Sequence, residues 1–403
     1  MIAIDTHRLV SELEKLAEFS DAPAPAVTRV VYSEQDRRAR AYVKGLCEAA
    51  GLTVREDAVG NTFARWVGTQ PDLAPVGTGS HIDAIPHAGR YDGTVGVLGG
   101  LEAIRSLQRA GVRARRSIEL LIFTAEEPTR FGIGCFGSRL LAGVLDPATL
   151  RDADGRTLQD FCGEVSGVTL PAGYYSAFVE LHIEQGPILE RAGIPIGVVT
   201  AIAAPASWRI FVEGEGGHAG AVLMPDRHDA LCAAADIALA VEASAKETGA
   251  ADTVGTVGMC EVFPGAVNSV PSRVQLSLDV RDIDQQRRNG VLSRIGDACH
   301  EIAGRRGVQV RTEVINADAP AACDARVVEA LSSAAQKHGL ASQRMVSRAY
   351  HDSLFMACIA PTGMLFIPCR DGVSHRPDEY ASPEALAVGT LVLAEALQTL
   401  ADE

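Results

Sequence analysis

The run Ile118-Glu-Leu-Leu-Ile-Phe-Thr124 is almost wholly apolar and passes without a break into Ala125-Glu126-Glu127-Pro128. A short apolar run of this kind reads as a strand buried on both faces, and such strands belong to sheets covered by helices. The chain repeats the arrangement. A run near Ala74–Thr78 leads to Gly79-Ser80-His81-Ile82-Asp83, and Phe178–Ile183 carries His182 just before Glu184-Gln185-Gly186-Pro187. Helical patterns lie between these runs: residues 5–19, Ser33–Ala50 with Gly51 as terminator, and Gly96–Ala110. Alternating strands and helices define an α/β layer whose active groups gather at the carboxyl ends of strands. The expected fold is therefore α/β, a mixed sheet flanked by helices.

At 403 residues the chain exceeds the usual size of one core, so a second domain is expected. Ala203-Ala204-Pro205-Ala206 reads as a hinge. Beyond it come a strand from Trp208, the helix Arg227–Thr248, the strands Asp252–Val262 and Ser272–Arg281, the helix Asp284–Ala303 and the strand Gly307–Val314. That order, β-α-β-β-α-β, is the ferredoxin-like split unit. The reading is an inserted domain, 207–317, that interrupts a catalytic domain made of 1–206 and 318–403.

A net charge of −14 argues against a nucleic-acid or anionic-membrane partner, so an anionic substrate needs a local arginine. The nine cysteines are scattered and form no Cys-x-x-Cys pair, the usage of reduced thiols in a cytoplasmic protein. Charges throughout residues 5–15 exclude the apolar block of a signal peptide. No uncharged apolar stretch reaches the roughly 18 residues expected of a spanning helix.

Taken singly, each polar motif has an ordinary reading. His81 with Asp83 could be a capped structural histidine, Glu126-Glu127 the acidic first turn of a helix, His182 a core histidine, and His375 in Gly372-Val-Ser-His-Arg-Pro377 a loop residue. Together they all follow apolar strands or sit in Gly-bearing loops of one α/β domain. Three histidines with carboxylates suit borderline divalent ions such as zinc, manganese or cobalt, with nickel also admissible. Two ions could then be served by five residues. His81, Asp92 and His182 would take one, and Asp92, Glu127 and His375 the other, Asp92 bridging. Asp83 is expected to accept the free imidazole N–H of His81. Glu126, beside a ligand but pointing elsewhere, is expected to act as general base.

The motifs Gly-Ser-His-Ile-Asp, Tyr-Asp-Gly, Glu-Glu-Pro-Thr-Arg-Phe-Gly, Leu-His-Ile-Glu-Gln-Gly-Pro and Gly-Gly-His-Ala-Gly, in order over nearly the whole chain, resemble the dinuclear-metal amidohydrolases that include N-carbamoyl-L-amino-acid hydrolases and allantoate amidohydrolases. The resemblance implies a metallopeptidase-like catalytic domain, two divalent metal ions, and a homodimer formed through the inserted domain, which also serves as a lid. Two segments depart from most relatives: Ala221-Val222-Leu223-Met224-Pro225, and Ser347-Arg348-Ala349-Tyr350-His351-Asp352-Ser353. They are similar to the ureidoglycolate-cleaving branch, which implies manganese and the products glyoxylate, ammonia and carbon dioxide. By the same resemblance, Arg281 and Asn268 hold a substrate carboxylate and His218 stabilises the oxyanion in the neighbouring subunit's site. Gln185 and His351 meet the ureido group, and Tyr350 adds a hydroxyl. A carbamoyl-amino-acid or allantoate hydrolase, a peptidase and a non-catalytic ureide-binding protein are the alternatives.

Overall fold

The computed structural model describes residues 2–403. It divides into two compact units, Met1–Thr200 with Ala322–Glu403, and Ala201–Ala321.

The first unit is built on a nine-stranded mixed sheet. At its centre four parallel strands lie in the spatial order Thr362–Ile367, Ala177–Ile183, Val76–His81, Ile118–Phe123. Antiparallel neighbours flank them, Ile196–Ile202 on one side and Thr62–Trp66 on the other. Every residue of the four central strands is buried, which is why they lack the alternation of a half-exposed strand. Alternation sends Leu120 and Ile122 to one face, against Leu98, Leu101 and Ile104 of the helix Thr94–Arg109 and Leu393 and Leu397 of the helix Pro383–Asp402. Leu121 and Phe123 go to the other face, with Phe136, Phe178 and Met356. With both faces filled, only the strand ends remain for polar chemistry.

The helix Pro383–Asp402 is long and apolar enough by composition to cross a membrane, but 67 % of its most apolar window is buried inside the protein. Its Glu395 binds Lys337 at 2.6 Å and His338 at 2.9 Å. It is a core helix.

The second unit has an antiparallel four-stranded sheet in the order Val254–Phe263, Arg273–Asp282, Ala204–Glu213, Gln309–Ala317. The last strand lies beside the first, as in the split β-α-β arrangement. Val274, Leu276, Leu278 and Val280 point inward from one strand onto Ile237 and Val241 of the helix Ala230–Lys246 and Ile295 of the helix Gln285–Arg306. Ala204–Ala206, expected as a hinge, is instead strand, with Pro205 opposite Arg281. The Gln309–Ala317 partner ends at Ala206, so the proline stands at the strand's start, where it is tolerated.

Candidate active site

Two buried arginines fix the strand exits. Arg29 donates to the Ile82 carbonyl at 2.5 Å and to the Leu16 and Phe19 carbonyls at 2.8 and 2.9 Å. Burial pulls its guanidinium down to about 10, so it stays charged at neutral pH. Arg40 donates to the Phe123 carbonyl at 2.9 Å and to Asp36 at 3.1 Å. These bonds set the direction in which the chain leaves toward Asp83 and Glu126. Close packing also dictates Gly93, whose φ is 65° and where an added Cβ would lie 2.4 Å from His81 Nε2. Ala125, Gln185 and His375 hold left-handed backbone without being glycine. Each costs on the order of 1–3 kcal/mol, comparable to what one core leucine contributes on burial, roughly 1.5–3 kcal/mol. The double-faced core outweighs this strain.

The imidazoles are oriented by backbone carbonyls. His81 Nδ1 lies 3.1 Å from the Asp83 carbonyl and His182 Nδ1 lies 2.9 Å from the Ile183 carbonyl. Carbonyls only accept, so each Nδ1 carries the hydrogen and each Nε2 faces Asp92 Oδ1, at 3.4 and 3.3 Å. His182 Nε2 also accepts the Gly93 N–H at 3.0 Å. The second Asp92 oxygen is 3.4 Å from His375 Nε2, which lies 3.3 Å from Glu127 Oε1. Three groups among the described residues could hold a metal ion, Glu180/His182/His351 and the two expected ones, His81/Asp92/His182 and Asp92/Glu127/His375, with the donor atoms of each within 4.8 Å of one another. Asp92 belongs to both expected groups. The first of these is buried, whereas the His375 side chain is 46 % exposed.

Glu126 stands outside both groups. Its Oε2 is 3.7 Å from His81 Nε2 and its Oε1 accepts from the Cys135 thiol at 3.4 Å. Burial, with Glu127, Asp352 and Asp92 nearby, pushes its carboxyl well above the usual range against the pull of His81. Burial raises Glu127 as well. Asp92 is also buried, but hydrogen bonds from His182, His375 and His81 outweigh desolvation and hold it well below the carboxylate range. Hydrogen bonds to Asp92 and Glu127 lift His375 to about 11.

The Asp83 carboxylate was expected to accept from His81; that oxygen is 3.6 Å away, and the Asp83 carbonyl is the nearer acceptor. The carboxylate is occupied instead by the backbone N–H groups of Glu126 and Glu127, at 3.2 and 3.0 Å. Gln185, expected on a substrate ureido group, donates from Nε2 to Asp92 Oδ2 at 2.6 Å, and its buried Oε1 has no hydrogen-bond partner. His351 is buried, with its ring centre 4.6 Å from that of His182 and its Nε2 2.9 Å from the Ser347 hydroxyl. Tyr350 precedes it and is half-buried.

In the second unit, His218 and Asn268 are exposed; His218 lies on Gly217–His218, which pairs with Ser269–Val270, and Asn268 immediately precedes that second segment, its carbonyl accepting the Ala219 N–H at 2.9 Å. Arg281 pairs with Asp279 at 2.8 Å and its side chain is 34 % exposed.

Sequence reasoning passed over Glu379, which accepts the N–H groups of Tyr91 and Asp92 at 2.7 and 3.1 Å and meets the Ser374 hydroxyl at 2.9 Å. It also passed over Glu180, which accepts from Ser80 at 2.7 Å and from the Ser353 hydroxyl at 2.6 Å, joining a central strand to the short helix Asp352–Met356. No motif marks either residue; Glu379 lies four positions past His375, a weak signal. A hollow of about 410 Å³ opens over Gln185, Ser374 and His375. A larger one, about 580 Å³, is lined by Leu189, Ile194, Pro368, Tyr380 and Val388 and contains none of the donor residues, so the smaller one is the site that matters for chemistry.

A mixed α/β sheet with two histidine–carboxylate groups at its strand ends and a separate buried carboxyl beside them defines a metal-dependent hydrolase. The chain belongs to the peptidase family M20/M25/M40, whose family model matches residues 77–399. A ureidoglycolate hydrolase from Oryza sativa subsp. japonica is 53% identical over 98% of this chain and 85% of its own. An N-carbamoyl-L-amino acid amidohydrolase from Geobacillus stearothermophilus is 40% identical over 99% of each. The crystal structure of AtUAH in complex with glyoxylate superposes with a TM-score of 0.90 at 52% identity, covering 100% of this chain and 99% of that one.

Proposed function

We propose that the chain hydrolyses the C–N bond of a small linear ureido acid, with ureidoglycolate as substrate and glyoxylate, ammonia and carbon dioxide as the ultimate products. The observation that carries this reading is Glu126, a buried carboxyl outside two donor groups that share Asp92. The names and identity of the ureidoglycolate hydrolases support the substrate. The carbamoyl-amino-acid relative favours N-carbamoyl amino acids or allantoate as the second reading.

His81, Asp92 and His182 would hold one divalent cation and Asp92, Glu127 and His375 a second, manganese or zinc, with cobalt or nickel compatible with the same donors. The donor set fits, because the Nδ1 atoms of His81 and His182 are spent on carbonyls and their Nε2 atoms both face Asp92. Bound there, such cations polarise a carbonyl and acidify water. Glu126 then takes the proton of the attacking water and returns it to the departing nitrogen. Gln185 and Ser374, both donating to Asp92 at 2.6 Å, steady the shared carboxylate, and Gln185 and His351 can turn toward the ureido group.

To the unit Ala201–Ala321 we assign the role of lid and dimer surface, supplying Arg281 and Asn268 for the substrate carboxylate and His218 for the oxyanion, the last from a partner subunit. The Arg281–Asp279 pair supports this, since a half-exposed ion pair exchanges partners at little cost. The nine free cysteines suit a reducing, cytoplasmic setting.

The test is release of ammonia and glyoxylate from ureidoglycolate, beside allantoate and several N-carbamoyl amino acids at matched metal loading. Faster cleavage of N-carbamoyl amino acids moves the assignment to them, and no cleavage at all leaves a binding protein. A fully active monomer in sedimentation would remove the role given to His218.

A further inference from the structure

Between the strand Ile118–Phe123 and the short helix Phe136–Leu141 the chain makes a loop whose neck is closed at Glu126. The N–H groups of Gly137, Phe136 and Cys135 donate in turn to the carbonyls of Thr124, Ala125 and Glu126, at 2.9, 3.0 and 2.7 Å. The two sides of the neck lie so close that a Cβ added at Gly137 would stand 2.6 Å from the Thr124 carbonyl oxygen. Cys135 sits at this neck in left-handed backbone, with φ 56°. A glycine would adopt that conformation without strain, yet a side chain is present. That side chain is fully buried, and its thiol donates to Glu126 Oε1 at 3.4 Å. Cys135 thus holds Glu126 twice, by main chain and by side chain.

A carboxyl with one oxygen bonded keeps its plane, and only the other oxygen is left to exchange a proton. Among the described residues, the thiol is the one hydrogen-bond donor to the Glu126 carboxyl. The second oxygen, Oε2, lies 3.7 Å from His81 Nε2, on the side of the donor groups. The outer torsion of a glutamate is broad and roughly two-fold, so without the thiol hydrogen the carboxyl plane is free to turn. Proton transfer needs a set geometry, whereas substrate binding does not depend on that plane. A turned carboxyl therefore costs rate in the chemical step and leaves affinity alone.

We propose that Cys135 is the positioning residue that holds Glu126 Oε1 through its thiol hydrogen, so that Oε2 meets the attacking water; this rests on the reading of Glu126 as general base. The experiment measures kcat and KM, at equal metal content, for the ureido acid that wild type cleaves fastest. It compares wild type, Cys135→Ala, Cys135→Ser, Glu126→Gln and the Cys135→Ala/Glu126→Gln double variant. Cys135→Ala should lower kcat by about three- to tenfold with KM nearly unchanged. Cys135→Ser, which keeps a donor at the position, should stand between Cys135→Ala and wild type. The double variant should be no slower than Glu126→Gln alone. If Cys135→Ala does not fold, Cys135→Gly suits the left-handed backbone and gives the same readout. In infrared difference spectra, the S–H stretch assigned by its loss in Cys135→Ala should move to higher frequency in Glu126→Leu, where the acceptor is gone. A serine variant no better than alanine, a loss carried by KM, losses that multiply in the double variant, or an S–H band that does not move would each overturn the proposal. Normal turnover in Glu126→Gln refutes the reading of Glu126 as base instead, and the S–H band still reports whether the thiol holds that carboxyl.

Discussion

The Asp83 carboxylate holds Glu127 by its backbone, Oδ2 accepting that N–H at 3.0 Å, while Oδ1 does the same for the preceding residue at 3.2 Å. A buried carboxylate clamping two successive N–H groups fixes the angle of the turn that presents both acidic side chains. Asp83→Asn would aim an amide NH₂ at one of those N–H groups and leave it unsatisfied. We expect a stability loss of about 1–3 kcal/mol in urea unfolding, and weaker metal uptake at the Glu127 group. Unchanged stability with full metal content would show that the turn is set by other contacts.

Glu126→Gln removes the proton carrier without touching either donor group. Turnover should fall by about 10²–10⁴, with metal content by emission spectrometry equal to that of wild type. Normal turnover would sink the assignment of Glu126 as base.

Asp92 is the only residue common to both donor groups among the described residues. His375→Ala should therefore leave one tight equivalent of metal, and Asp92→Ala none, in a titration followed by equilibrium dialysis. An Asp92→Ala protein that kept one tight equivalent would mean that the groups are independent.

Asp352 gives a pH dependence with a definite sign. Burial and the neighbouring Glu180 push its carboxyl from the usual 3.8 up to about 8, although the Ser138 hydroxyl donates to it at 2.5 Å. Between about pH 4 and 8 the folded chain keeps a proton that the unfolded chain has lost, so this group's contribution to stability declines as pH rises through that window and is flat above it. Asp352→Asn retains an oxygen for Ser138 and does not titrate. In chelator-treated protein, its Tm relative to wild type should climb from pH 4 to 8; a constant difference would mean that Asp352 ionises normally.

The donor residues were legible because the central strands left no other place for them. Val76–His81, Ile118–Phe123 and Ala177–Ile183 are buried throughout, so a histidine or acid at or just past the end of such a run has only the strand exit to occupy. The supporting contacts were not legible. Glu379 reaches the Asp92 N–H across 287 positions, and Arg139 reaches Tyr350 across 211. Local spacing carries no signal for such pairs.

By itself, then, the sequence determined the α/β layering and the chemical type of each strand-end group, since apolar periodicity and ligand chemistry are local properties. Only the tertiary structure decided that Asp83 clamps a turn rather than the His81 ring, that Gln185 binds Asp92, and that Ala204–Ala206 continues a strand. Each of these depends on which acceptor lies nearest when distant segments meet, and a difference of half an ångström, 3.1 against 3.6 Å at His81, selects the partner.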